Sequence, residues 1–267
     1  MLIIQVNYGS RTGNLFMFVI NCISDNLSFY KHEQISLKHV KEKFILFKDM
    51  PEIITFPEFM NNGNNKTMIE DFFYCPINPL VNCNEIVNKY IKPHIDYNLN
   101  FHNDFINFDR DLIIHIRSGD VFNENFIQNR EMFEAFKSPP YQFYKEIIES
   151  NHFQHIYIIS ENYNLNPVIK ELCKNYQNIF SFSNDLSTDF RILLNAKYFI
   201  PGHSDLSRMV LLLSKPKIKC YISKPIFPNV ENICYYDYSK YYNTFVNSYG
   251  EYINLIMNWK NSHKVEY

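Results

Sequence analysis

The stretch DLIIHIRSGDVF, residues 111–122, places His115 and Arg117 two apart at the end of an apolar run and follows them with Ser118, Gly119 and Asp120. An arginine where a buried strand runs out can present its planar fork to a phosphate or carboxylate in a low-dielectric cleft. Under the two-residue period of a strand, His115 shares a face with Arg117, so both can meet one ligand. Gly119 permits a sharp exit, and Asp120 can pair with Arg117 or cap the turn that follows. The competing reading of the same residues is a buried Arg117–Asp120 ion pair beside a satisfied core histidine.

An alternation of strands and helices must position these groups. LIIQV (2–6) reads as a first buried strand, followed by a loop carrying Gly9 and Gly13 and then a long apolar helix. The Asn/Gly cluster 61–66 is a loop, residues 84–93 have helical spacing up to Pro93, and 94–111 is polar and irregular. From residue 111 the pattern is regular. Strands are expected at 112–118, 155–161, 179–183, 197–202 and 218–223, with helices at 139–150, 166–176, 186–196 and 204–214. Ser187 or Thr188 is the expected N-cap of the 186–196 helix, and Ser160 or Glu161 is an alternative cap ahead of Asn166–Pro167. A tyrosine-rich helix over roughly 239–262 closes the chain.

Such an alternation gives an α/β fold with a parallel, doubly wound sheet. Three segments follow: an N-terminal α/β domain over 1–108, a ligand-binding α/β domain over 109–238, and a C-terminal helix over 239–267 that packs back on them. Ligands of such sheets bind outside the carboxyl ends of the strands. That rule singles out His115–Asp120, Ser160–Glu161, Ser183–Asp189 and Gly202–Ser207.

Composition narrows the partners. Hydrophobic residues make up 46% of the 267 positions, enough for a core, while the formal net charge is only -2. That charge offers no counterion release to a nucleic-acid backbone, and no Lys/Arg cluster reads as a membrane patch. No run approaches the roughly 20 apolar residues of a membrane span, and the first residues lack a signal-peptide pattern, so a cytoplasmic protein is expected. The cysteines show no zinc spacing and are expected as reduced, mostly buried thiols, and no metal site is expected.

The motifs also resemble a known group. HIRSGD resembles the H-x-R-x-x-D signature of the superfamily of α-1,2-, α-1,6- and protein O-fucosyltransferases. GSRTGNLFMF (9–18) is similar to the glycine-bearing loop of their N-terminal domain, and residues 188–214 resemble their third region. The resemblance implies a GT-B-like fold, two Rossmann-like domains with a cleft between them, and an inverting transfer of fucose from GDP-fucose to a glycan hydroxyl, α-1,2-like. It implies no cofactor and no metal, with a nucleotide sugar and a glycan acceptor as partners. Residue by residue, His115 would contact the nucleoside or diphosphate and Arg117 would hold the β-phosphate and stabilise the leaving GDP. Asp189 would accept hydrogen bonds from guanine. Ser204, Asp205, Leu206 and Ser207, at a helix start, would bind the diphosphate. Gly13 and Asn14 would line the sugar side and Ser160 would touch the ribose. Glu124 and Asp120 are the candidate bases. Departures from the pattern are Ser118 in place of a second basic residue, and Asp205 and Leu206 inside a turn that reads Ser-Thr-Phe-Ser in the family. Two alternatives stand beside this reading: a GT-B transferase using another nucleotide sugar, and a non-catalytic nucleotide- or carbohydrate-binding relative.

Overall fold

The structure, a computed structural model, describes residues 1–5, 12–38, 40, 51–56, 59, 67–70, 83–95, 105–122, 137–214, 217, 219–223, 232–260 and 263–265. Backbone packing divides the chain into two compact units, one of Met1–Asn98 with Arg208–Leu213, the other of Leu99–Ser207 with Ser214–Tyr267.

The first unit carries β1 (Leu2–Gln5), α1 (Thr12–Asp25), β2 (Gln34–Ser36), β3 (Ile53–Thr55), β4 (Thr67–Glu70) and the short α2 (Cys83–Ile86). Its sheet runs β3-β2-β1-β4, with β1 parallel to β2 and β4 and β3 antiparallel to β2. Leu2 and Ile4 are fully buried, and α1 buries Phe16, Met17, Val19, Ile20 and Ile23. Gly13 and Asn14 were expected in a loop; they lie instead in the first turn of α1. The helix expected over 84–93 is a composite, in which α2 widens into an i→i+5 turn at Val87–Ile91 and tightens again at Lys92–His94 around Pro93.

The second unit carries β5 (Leu112–His115), α3 (Tyr141–Glu149), β6 (Ile156–Ile159), α4 (Pro167–Asn175), β7 (Ile179–Phe182), α5 (Leu186–Asn195), β8 (Tyr198–Ile200), α6 (Asp205–Leu213, shared with the first unit), β9 (Lys219–Ile222), β10 (Ile233–Asp237), α7 (Ser239–Asn243), α8 (Tyr249–Asn258) and β11 (His263–Val265). The sheet order is β11-β10-β9-β8-β5-β6-β7, parallel throughout except for β11. The chain runs outward from β5 through β6 to β7, then returns to the other side of β5 and continues through β8 and β9. The crevice between β5 and β8 is therefore the topological switch point, where open α/β sheets bind ligands.

Alternation along β5 assigns its faces. Leu112, Ile114 and Ile116 join one buried cluster with Phe143, Ile147, Leu172, Tyr252 and Ile256 from α3, α4 and α8. Each such side chain contributes about 1.5–3 kcal/mol on burial. Ile113 and His115 thus belong to the opposite face.

The caps differ from expectation. Asp185, not Ser187 or Thr188, caps α5, its carboxylate accepting from Thr188 N at 3.0 Å and Thr188 Oγ1 at 2.6 Å. Asn166, not Ser160 or Glu161, caps α4, accepting from Val168 N at 2.9 Å and Ile169 N at 3.4 Å. Both caps sit where the chain leaves extended geometry, a position set by backbone angles and not by residue preference alone. At its far end α5 is held by the buried Lys217, whose Nζ donates to the carbonyls of Leu193 at 2.9 Å and Leu194 at 3.3 Å. Burial pulls that amine down to about 7.

The single C-terminal helix expected over 239–262 is two helices. Ser248 Oγ accepts from Glu251 N at 3.2 Å while Glu251 Oε2 accepts from Asn247 N at 2.7 Å, a reciprocal cap that starts α8 afresh. No helix among the described residues is long and apolar enough to cross a membrane.

Candidate nucleotide site

The site begins where β5 ends. His115 is 8% exposed, and its Nδ1 lies 2.6 Å from Ser207 Oγ. Ser207 is itself fully buried in the first turn of α6, and Ser204 Oγ accepts from Ser207 N at 3.2 Å, which makes Ser204 the N-cap. Strand end and helix start are thereby tied by a single side-chain pair. Burial, with a smaller contribution from the Arg117 charge, pushes His115 down to about 4, so the ring is neutral at physiological pH. A neutral imidazole can donate or accept one hydrogen bond at the ligand without adding charge.

Two glycines let the backbone fit. A Cβ at Gly202 would stand 2.8 Å from the His115 carbonyl oxygen and 3.0 Å from its Nδ1. Gly119 has φ +55°, the left-handed region, and a Cβ there would meet Glu161 Oε2 at 3.2 Å. Between them Arg117 is half-buried. Its carbonyl accepts from Asn166 Nδ2 at 3.4 Å, and the neighbouring Ser118 Oγ donates to the Asn162 carbonyl at 3.2 Å. The exit from β5 is fixed from α4 and from the turn before it.

The other expected residues are distributed as follows. Asp205 and Leu206 lie half-buried in the first turn of α6. Ser160 is buried one strand over, its hydroxyl donating to the Glu161 carbonyl at 3.4 Å. Asp189 is half-buried in the first turn of α5, after β7; Oδ1 accepts from Asn184 Nδ2 at 2.8 Å, and burial raises its pKa against that hydrogen bond. His115, Gly202, Ser204 and Ser207 are brought together directly, with Arg117 on the same strand exit. Gly13 and Asn14 belong to the other unit. The Asp120 backbone lies in the short Gly119–Phe122 turn, and its side chain and the whole of Glu124 lie outside the described residues.

Reasoning from residue types passed over Asn166 and the backbone role of Gly202. It also found no Asp-x-Asp triplet of the kind that can hold a divalent ion under a diphosphate, and took that as fitting a metal-independent enzyme, whereas Asp109–Arg110–Asp111 is such a triplet. That triplet stands at the opposite, amino end of β5. Asp111 is fully buried, accepting from Asn107 N at 2.7 Å and His155 N at 3.0 Å, and Asp109 pairs with Lys197. Its carboxylates are thus committed to structure.

The buried neutral histidine has a pH signature. Its folded pKa of about 4 lies below the ordinary value of 6.5. The unfolded chain therefore binds the proton more tightly, and the His115 contribution is complete above that ordinary value and lost as the pH falls toward the folded one. The slope there reaches about 1.4 kcal/mol per pH unit. Melting temperature against pH should show that limb in the wild type and a flatter one in His115→Gln.

No family model matches this chain. No curated protein is similar to it either. Among solved structures it is similar to E. coli heptosyltransferase WaaC with ADP-2-deoxy-2-fluoro heptose, at 10% identity and a TM-score of 0.41, over 88% of this chain and 92% of that one.

The arrangement can do the following. One guanidinium and the start of a nine-residue helix, Asp205–Leu213, offer positive potential to an anion at the switch point. A neutral imidazole is bonded to the helix start at Ser207, and a polar strand end at Ser160 and a carboxylate at Asp189 lie further along the same sheet edge.

Proposed function

We propose that this chain is a GT-B-type inverting glycosyltransferase, binding a nucleoside-diphosphate sugar at the carboxyl edge of the seven-stranded sheet. The observation that carries the reading is the His115–Ser207 hydrogen bond, 2.6 Å, which joins the signature strand to a helix start at the switch point. Within the reading, Arg117 stabilises the charge that develops on the departing diphosphate, and the first turn of α6 offers it backbone N–H groups. No divalent ion is called for. The donor is GDP-fucose and the acceptor a glycan hydroxyl, because Asp189 presents a carboxylate suited to the two adjacent N–H donors of guanine and the motifs resemble fucosyltransferases.

Titration calorimetry with GDP, using UDP and CDP as controls, tests this. GDP is expected to bind at least tenfold more tightly than either control. Asp189→Asn, which turns one acceptor into a donor, is expected to remove that preference while retaining weak binding of all three. A preference for another nucleotide that survives Asp189→Asn would favour a different nucleotide sugar. Absence of binding by any nucleotide would end the transferase reading.

A further inference from the structure

β7 is the outermost strand of the seven-stranded sheet, and among the described residues no strand lies beyond it. Its bonds to β6 show which backbone groups are already used. The carbonyls of Asn178 and Phe182 accept from Ile156 N at 2.9 Å and Ser160 N at 3.1 Å. Alternate residues therefore face β6, and Ile179 and Ser181, which lie between them, turn their N–H and C=O groups to the open edge. Natural proteins protect such an edge with charge, proline, a bulge or a cover. The stretch NIFSFSN (178–184) has no charged residue and no proline. Its four strand residues pair with β6 one for one, so no bulge interrupts them.

The side chains of the strand divide by face. Ile179 joins the buried cluster, so by alternation Phe180 and Phe182 stand on the other face, where they are 42% and 37% exposed. Both rings stack on Tyr157 of β6, at centroid distances of 5.7 Å, which holds them in place. The order Phe180-Ser181-Phe182 reads the same in both directions. That is what antiparallel pairing of two identical strands requires. With Ser181 opposite the second copy's Ser181, the two residues exchange both N–H···O bonds through the groups that point outward. Phe180 then stands opposite the second copy's Phe182 in a non-hydrogen-bonded pair, where side chains come closest. A two-fold axis at Ser181 generates both aromatic pairs, so the contact is isologous and closes at two copies. The strand carries no charge, so no like charges meet across it.

We propose that the open edge of β7 is a docking surface for a second copy of this chain, joined in antiparallel register about Ser181. The area sets the strength. A phenylalanine side chain buries about 150–250 Å², so the four rings of the pair, each exposed at 42% or 37%, contribute only about 300 Å². With the strand backbone the buried total stays below about 1,200 Å², the class of weak and transient associations. The dimer accordingly has a Kd of about 10⁻⁵–10⁻³ M. The two-fold runs the strands of the two copies in opposite directions. Their carboxyl edges open on opposite sides, and neither copy covers the nucleotide site of the other.

Sedimentation velocity over a series from micromolar to millimolar protein tests this. The wild type is expected to pass from one copy to two and no further. Ser181→Pro removes one outward N–H, a change an edge strand tolerates because that group has no ladder bond in the single copy. It should abolish association while melting close to the wild type. Phe180→Lys and Phe182→Glu, each of which spoils two cross-strand pairs, should each weaken association by about tenfold. Mixed together, these two variants should associate more tightly than either alone, because the new ammonium faces the new carboxylate and the remaining phenylalanines face each other. A wild type that stays at one copy throughout overturns the proposal, as does growth past two copies or association that survives both Ser181→Pro and Phe180→Lys. A mixture that associates no better than the separate variants overturns the register about Ser181.

Discussion

Arg117→Ala is expected to lower the turnover of GDP-fucose by about 10²–10³-fold, the scale for removing one preorganised charge-stabilising donor. The reason lies in where the arginine is held. Its backbone carbonyl is fixed by Asn166 and the next residue's hydroxyl by Asn162, so the guanidinium leaves a rigid exit from β5. It is half-buried, so water screens it less than a surface charge. In the proposed transfer, negative charge grows on the bridging oxygen only as the sugar departs, so kcat should fall by more than KM rises. Free GDP carries that charge in full, and its Kd should weaken by about 10–100-fold, as for loss of a charged hydrogen bond worth about 1.5–3 kcal/mol. Arg117→Lys should recover only part of the rate, because a point charge cannot reproduce the planar fork. Single-turnover GDP release with calorimetry measures both quantities. A kcat within threefold of wild type for Arg117→Ala would show that the residue is a structural ion-pair partner.

Gly202→Ala should disable the site by a different route. The added methyl would stand 2.8 Å from the His115 carbonyl oxygen, 3.0 Å from its Nδ1 and 3.4 Å from Arg117 N. Two of those neighbours are backbone atoms and cannot swing aside, so the turn after β8 and the end of β5 must part by some tenths of an ångström. Overpacking of this kind costs about 1–3 kcal/mol. The shift falls on the chain between the last β5–β8 pair, Ile114 with Ile200, and the Ser204 cap, so the His115–Ser207 bond is strained directly. Melting temperature should drop by a few degrees and nucleotide binding by well over the factor that the stability loss explains. Gly250→Ala is the control. Among the described residues its Cβ would meet only Ser248 Oγ at 4.0 Å, in a helix, where alanine is favoured by about 0.5–1 kcal/mol. If Gly202→Ala matches Gly250→Ala in melting and in binding, the close approach has no functional weight.

Much of the second unit was legible because its periods are strong. LIIHI and HIYII are apolar runs of strand length, and each is followed by an amphipathic segment of helical spacing, so the βα alternation could be read directly. The caps were not. Ser187 and Thr188 are good capping types, but the orphaned N–H groups lie where Asp185 can reach them, and that depends on where β7 releases the chain. The C-terminal helix was drawn too long because its tyrosines keep a helical spacing through Thr244–Ser248, although Ser248 and Glu251 already spell a helix start. Least visible was the hydrogen-bonded meeting of His203, Ser223, Tyr242 and the Lys137 carbonyl. Nothing local marks them, since His203 and Ser223 follow different strands, Tyr242 lies in α7 and Lys137 precedes α3, and only the strand order brings them to one place.

Asn166 joins two structures that are usually separable. Its side-chain carbonyl closes the first turn of α4, and its amide holds the carbonyl of Arg117. If the helix start frays, the guanidinium loses its anchor; if the strand exit is braced by a bound anion, the helix start is braced with it. The two therefore open and close as one cooperative unit, with a shared opening free energy. Slow exchange of the amides of Val168 and Ile169 would then act as a gauge of occupancy some residues away from any ligand contact.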